Sequence, residues 1–134
     1  MNSINIEATD FTPTIRFGAD GRLFIEGRSL RMYVMDFYKP LIDWVNALQV
    51  KFVTLDINLE YMDTSCSKLL LNLLKALDDN KSIKKLIINW HYEEVDDDAL
   101  QDGQILEEIL QKAEFRFHEH PEAISIVPDH PRII

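Results

Sequence analysis

The sequence predicts an α/β fold built on one mixed β-sheet, with an N-terminal hairpin and covering helices. Two observations carry this reading. An Asp-Gly turn separates two short extended runs near the start, and beyond it strand-like and helix-like apolar periods alternate as far as residue 118. A third sets the scale: 134 residues, 46% of them apolar, suffice for one domain with its own core and are too few for two ordinary domains.

Residues 14–18 and 22–27 form the arms of the hairpin, joined through Ala19-Asp20-Gly21. Ile15 and Phe17 are expected on one face and Leu23 and Ile25 on another, with Arg16, Arg22 and Glu26 outward. From Met32 to Leu48 the residues Phe37, Leu41, Trp44, Val45 and Leu48 recur at helical spacing. Pro40 interrupts that stripe, so the helix either kinks there or starts near Lys39, with residues 30–38 as a separate approach. Residues 52–59 alternate as a strand whose Val53, Leu55, Ile57 and Leu59 meet the core, and residues 66–77 make an amphipathic helix that Asp78, Asp79 and Asn80 end. A third apolar strand occupies 83–90, followed by a loop over 91–98. A helical segment from Leu100 to Ala113 then places Ile105, Leu106, Ile109 and Leu110 on one side. Glu114–His118 returns as an edge strand before Pro121, and the last stretch, AISIVPDHPRII, is either an added extended segment or a loose tail. There is no internal repeat and no flexible linker.

Charge narrows the partners. Fourteen Lys and Arg against 23 Asp and Glu leave a net charge of −9, which disfavours nucleic acid and anionic membranes. A single cysteine, Cys66, closes no internal disulfide, Met1 opens no secretory pattern, and no apolar run reaches the ~18 residues of a bilayer span. A cytoplasmic protein is expected.

The functional signal is concentrated at Leu59-Glu60-Tyr61-Met62-Asp63-Thr64-Ser65-Cys66-Ser67-Lys68, where a buried strand gives way to a helix. A helix N-terminus leaves N–H groups without intrahelical acceptors and favours an anion, so a hydroxyl here can carry phosphate, with Lys68 one turn on to assist. The plainer role is capping, which Asp63, Thr64 or Ser65 can each perform. A hydrolase nucleophile is disfavoured because the flanking small residues of a nucleophile elbow are missing.

Several pieces of the chain together resemble the SiaC family of bacterial regulators, whose fold is similar to the anti-sigma-factor antagonist, or STAS, domains. They are Thr12-Pro13-Thr14-Ile15, Gly27-Arg28-Ser29, Phe37-Tyr38-Lys39-Pro40-Leu41, Trp44, Leu59-Glu60-Tyr61 with Thr64-Ser65, and Trp90 with Tyr92, covering roughly residues 10–118. The resemblance implies a STAS-like sheet and reversible phosphorylation of Thr64, with Ser65 the alternative. It implies a cognate kinase, a PP2C-type phosphatase, and a diguanylate cyclase that the unmodified protein binds and activates to raise cyclic di-GMP. The family usually has Asn where this chain has Asp63, and often Ser where it has Cys66.

Candidate partner-binding residues are Arg28, Ser29, Tyr38, Tyr61, Asp63, Ser65, Lys68 and Tyr92. Gly27-Arg28-Ser29 reads either as a tight turn or as a cationic contact. Tyr38 divides between packing and recognition, and Tyr92 is expected on the loop after Trp90. Tyr33, Phe37 and Trp44 could widen an aromatic contact but fit core or cover better. No cofactor is expected. The glycines form no phosphate cradle, the six acids of Glu93–Asp102 lack EF-hand spacing, and His118-Glu119-His120, even with His91 nearby, is a weak zinc pattern. Cys66 has no second cysteine and is read as packing. The expectation is a regulator without catalytic activity of its own, with a different phosphoprotein interaction module or a small hydrolase as alternatives. Self-association is left open.

Overall fold

The structure is a computed structural model that describes residues 1–30 and 34–121, apart from the side chains of Val34 and Met35. Met32 and Tyr33, and the tail beyond Pro121, lie outside the described residues. Along the chain run β1 (Ile4–Ile6), β2 (Thr14–Phe17), β3 (Arg22–Ser29), α1 (Val34–Ala47), β4 (Phe52–Met62), α2 (Thr64–Asp79), β5 (Lys85–Glu93), α3 (Asp97–Ile109) and β6 (Glu114–His120). The six strands form one sheet in chain order; β1, β2 and β3 pair antiparallel, and β3, β4, β5 and β6 pair parallel. The expected mixed α/β architecture with an N-terminal hairpin is therefore present.

Alternation makes β4 the centre of the core. Val53, Leu55, Ile57 and Leu59 are buried together with Ile15, Phe17, Leu23, Ile25, Leu86, Ile88 and the apolar stripes of the three helices. Helices and buried strand residues share one core, so the helices cover a single face of the sheet. Parallel neighbours taken in chain order require this, because each right-handed crossover places its helix on the same side.

Several expectations are corrected. Ile15 pairs with Ile25 and Phe17 with Leu23, so the four lie on one face and not on two; directly opposed residues of an antiparallel pair point the same way. The turn is fixed by Gly21 at φ +98, with its N–H donating to the Gly18 carbonyl at 3.0 Å. Strand β1, too short to show a period, was not expected; just before it the Asn2 carbonyl accepts the Trp44 indole N–H at 2.7 Å, and the Trp44 ring lies tilted against Phe17. Helix α1 runs through Pro40 and does not start at Lys39. The missing N–H affects only the carbonyl of exposed Asp36, which water can satisfy.

Strand β5 extends through His91, Tyr92 and Glu93, residues expected in a loop, because β6 pairs with each of them. In α3 only Leu106 of the helical residues Ile105, Leu106 and Ile109 is buried, with Leu110 at the C-cap; Ile105 and Ile109 are 55% and 42% exposed. The helix meets the sheet through buried Gly103, over Trp90, whose indole donates to the Ala99 carbonyl at 2.9 Å.

A Cβ at Gly103 would lie 2.7 Å from the Trp90 ring and 2.9 Å from Phe117. Gly103→Ala gains about 1 kcal/mol of helix propensity and loses about 1–3 kcal/mol to overpacking. A net fall in urea-denaturation stability is expected, and an unchanged or raised midpoint would show that α3 shifts freely.

Candidate functional site

Strand β4 ends irregularly. Gly27 faces Leu59 while Arg28 faces Tyr61, so Glu60 is an extra residue without an opposite partner. Such a bulge re-aims the side chains beyond it, and Gly27 at φ +129 supplies the matching backbone on β3. Glu60 and Tyr61 both turn outward, Tyr61 with 53% exposure, and Tyr61 is the register neighbour of exposed Arg28. Gly27-Arg28-Ser29 is thus the end of strand β3, paired opposite the bulge, and not a tight turn.

Beyond the bulge, Asp63 stops the strand and caps α2. Its backbone is extended, with φ −83 and ψ 173, and its Oδ1 accepts the Cys66 N–H at 2.9 Å. Capping thus falls to Asp63, which leaves Thr64, the first helical residue, exposed, and Ser65 half-buried. Ser67 turns back to donate its hydroxyl to the Thr64 carbonyl at 2.8 Å. The Thr64 hydroxyl sits on the first turn of a sixteen-residue helix, where the peptide dipoles favour negative charge.

Ser29 and Tyr38 do not join the exposed rim. They are 1% and 0% exposed and bond to one another at 2.8 Å between Oγ and OH, so their expected role at a partner surface gives way to an interior one. Both support the junction from below: the Ser29 carbonyl accepts the Asp63 N–H at 3.2 Å, and the Ser29 hydroxyl also reaches the Cys66 thiol. Burial pushes Tyr38 up to about 12 and the Cys66 thiol up to about 11, with the Asp63 carboxylate adding to both. Cys66 is therefore a neutral packed thiol, as its lone position suggested. Tyr92 is part of β5 and packs against the core, so it is not held out on a loop.

The carboxyl ends of the parallel strands bring α2 and α3 to one rim. Asp96 caps α3 by accepting the Ala99 N–H at 3.0 Å. Beside it a pocket of about 170 Å³ is lined by Glu60, Tyr61, Trp90, Asp96, Asp98 and Asp102. Burial, then Asp98 and Asp96, raise the Asp102 carboxyl above the ordinary range. Between α2 and α3 runs a second channel of about 210 Å³, largely apolar, bordered by Met62, Lys68, Leu71, Asp102, Ile105 and Ile109. Sequence reasoning missed this channel; its signal was an α3 stripe wider than one sheet edge needs.

Three histidines among the described residues, His91, His118 and His120, belong to the opposite face of the sheet. His91 bonds to Asp56, His118 to Asn89 and His120 to Asn58, each at 2.9 Å, and the His91 and His118 rings stack 4.8 Å apart. Burial and then His91 lower His118. Among the described residues no group of three or more His, Cys, Asp or Glu is arranged to hold a metal ion. No helix among them is long and apolar enough to cross a membrane.

The exposed Thr64 on the capped start of α2 thus stands at the same rim as the apolar channel and the acidic pocket. The family model of the SiaC family regulatory phosphoprotein matches residues 6–120, and the chain belongs to that family. SiaC of Pseudomonas aeruginosa superposes with a TM-score of 0.78 at 25% identity over 90% of this chain and 100% of that one. SiaC in the crystal structure of the diguanylate cyclase SiaD with its activator SiaC, from the same organism, gives 0.78 at 24% identity over 87% and 99%. An uncharacterized protein of P. aeruginosa strain UCBPP-PA14, PA14_02130, is 25% identical over 122 residues, covering 87% of this chain and 94% of that protein.

The two raised groups set an alkaline limit. In the unfolded chain Cys66 and Tyr38 ionise at their ordinary values of 9.0 and 10.0, whereas in the fold they hold their protons to about 11 and about 12. Their contribution is complete below pH 9 and is lost between pH 9 and 12. Thermal midpoints should fall across that window, with a smaller fall for Tyr38→Phe; identical slopes would place the loss elsewhere. Asp63→Ala should cost about 1 kcal/mol in chemical denaturation through loss of the cap.

Proposed function

We propose that this chain is a single-domain, phosphorylation-controlled partner switch acting in the cytoplasm. Unmodified, it binds and activates a diguanylate cyclase. A cognate serine/threonine kinase modifies Thr64, with Ser65 the alternative, and a PP2C-type phosphatase restores the hydroxyl. The protein contributes a binding surface and has no catalytic activity of its own. The observation that carries the reading is an exposed Thr64 on the first turn of α2, in a family of regulatory phosphoproteins. The activator role named for SiaC in its complex with SiaD supports a diguanylate cyclase as the partner class.

Residue chemistry supplies a mechanism. Phosphate adds about −1.5 to −2 charge and three strong acceptor oxygens at a point that a partner must cover. Burying such a charge unpaired costs several kcal/mol, and every ~1.4 kcal/mol is a tenfold change in affinity. Because Asp63 and not Thr64 caps the helix, the modification can act at the surface while α2 stays folded. Asp63 places a second negative charge beside the phosphate and raises its cost to a partner. Against a hydrolase, the three described histidines are bonded to Asp56, Asn89 and Asn58 on the sheet face away from the helices, so none is placed as a base for Thr64.

Calorimetry with a diguanylate cyclase from the same organism tests the switch. Unmodified protein and Thr64→Ala should bind with similar affinity, and protein with phosphothreonine at position 64 should bind at least about tenfold more weakly. Equal affinities for the modified and unmodified forms would falsify the reading.

A further inference from the structure

We infer that the channel between α2 and α3 receives an amphipathic helix of the partner that sets a carboxylate over Lys68, and that Lys68 is the side chain through which phosphate on Thr64 is sensed. This rests on the switch reading above and names the contact by which it operates.

The channel suits side chains better than a small molecule. Its volume of about 210 Å³ is below the ~300–1,000 Å³ of small-molecule pockets. One wall is α3, where Asp102, Ile105 and Ile109 follow one another at helical spacing, the two isoleucines 55% and 42% exposed. The other is α2, where Lys68 and Leu71 border the channel and Met62 closes its end. Two helical ridges with aliphatic residues a turn apart match the pattern by which a third helix is bound, through apolar positions at i and i+4.

Charge decides what that helix carries. The chain has 23 acidic and 14 basic residues, yet the cation bordering this channel is exposed Lys68, which has no hydrogen-bond or ion-pair partner among the described residues. Beside aliphatic surface, an ammonium without a partner favours a carboxylate on the incoming segment. Across the channel, burial and then Asp98 and Asp96 raise the Asp102 carboxyl above its ordinary range, so a hydrogen-bond donor suits it better than a second carboxylate.

The phosphosite continues into this channel. Thr64, Lys68 and Leu71 stand at i, i+4 and i+7 along α2, one face of one helix. A phosphate on Thr64 is therefore within reach of the Lys68 ammonium as an i, i+4 pair. The pair withdraws the cation from the partner, and the phosphate repels the carboxylate that Lys68 held. One modification thus removes an attraction and adds a repulsion.

A double-mutant cycle tests this with the same cyclase, by calorimetry on wild type and Lys68→Ala, each unmodified and with phosphothreonine at position 64. Lys68→Ala should weaken the unmodified protein about tenfold, leave the phosphorylated form nearly unchanged, and shrink the phosphate effect by that same factor. Ile105→Ser, at an exposed site, should weaken the unmodified form with no loss of thermal midpoint. If phosphate discriminates in wild type and equally in Lys68→Ala, the sensing role is overturned while the switch stands. If Ile105→Ser binds like wild type, the partner lies elsewhere. If wild type shows no phosphate effect, the switch reading fails and this inference with it.

Discussion

Handedness governs this molecule more than any single contact. Four parallel strands follow one another in space in the order in which they occur in the chain, so the crossovers α1, α2 and α3 must fall on one face of the sheet. Their N-termini then gather at the carboxyl ends of the strands, the usual place for function in open α/β sheets. Asp63 with Thr64 and Asp96 with Asp98 come to one rim for that reason, although more than thirty positions separate them in the chain. The same constraint leaves the other face to polar pairs such as Asp56 with His91.

Within that frame the site depends on a division of labour among neighbours. The extra residue Glu60 turns Tyr61 out beside Arg28. Asp63 takes the capping bond, so the Thr64 hydroxyl is bonded to none of the described residues. Ser29 and Tyr38, buried beneath, hold the Asp63 backbone and the Cys66 thiol in place. A rigid support under an exposed hydroxyl lets a modification change the surface without changing the fold. An Asn could make the same capping bond as Asp63, so an Asp at this position adds charge without changing the geometry.

The fold was legible where period and burial agree. Strand β4 buries Val53, Leu55, Ile57 and Leu59 and helix α2 buries Leu70, Leu73, Leu74 and Leu77, and their apolar spacing states it directly. The chain misled where a partner strand or a sheet edge decides. His91, Tyr92 and Glu93 look like loop because they are polar, yet pairing with β6 holds them extended. Ile105 and Ile109 look like core because their spacing is helical, yet α3 lies against the sheet through Gly103 and Leu106. Ser29 reads as a contact candidate and Tyr38 divides between packing and recognition, and the mutual bond at 2.8 Å reveals why both can be buried. Thr64 was legible as a junction residue, but its exposure depends on which neighbour takes the cap, and three adjacent residues were all able to.

The far end of the domain is fastened differently. The Asp78 carboxylate accepts the N–H groups of Gln111, Lys112 and Ala113 at 2.9, 2.8 and 2.9 Å. The Asn80 amide donates to Val45 and Leu48, and the Lys112 ammonium to the carbonyls of Asn80 and Ile83. These bonds tie the tails of α1 and α2 to the entries of β5 and β6 like the spine of a book. An incoming molecule that wedges the rim apart therefore works against a hinge already clasped, and whatever yielding it produces is confined to the fore-edge.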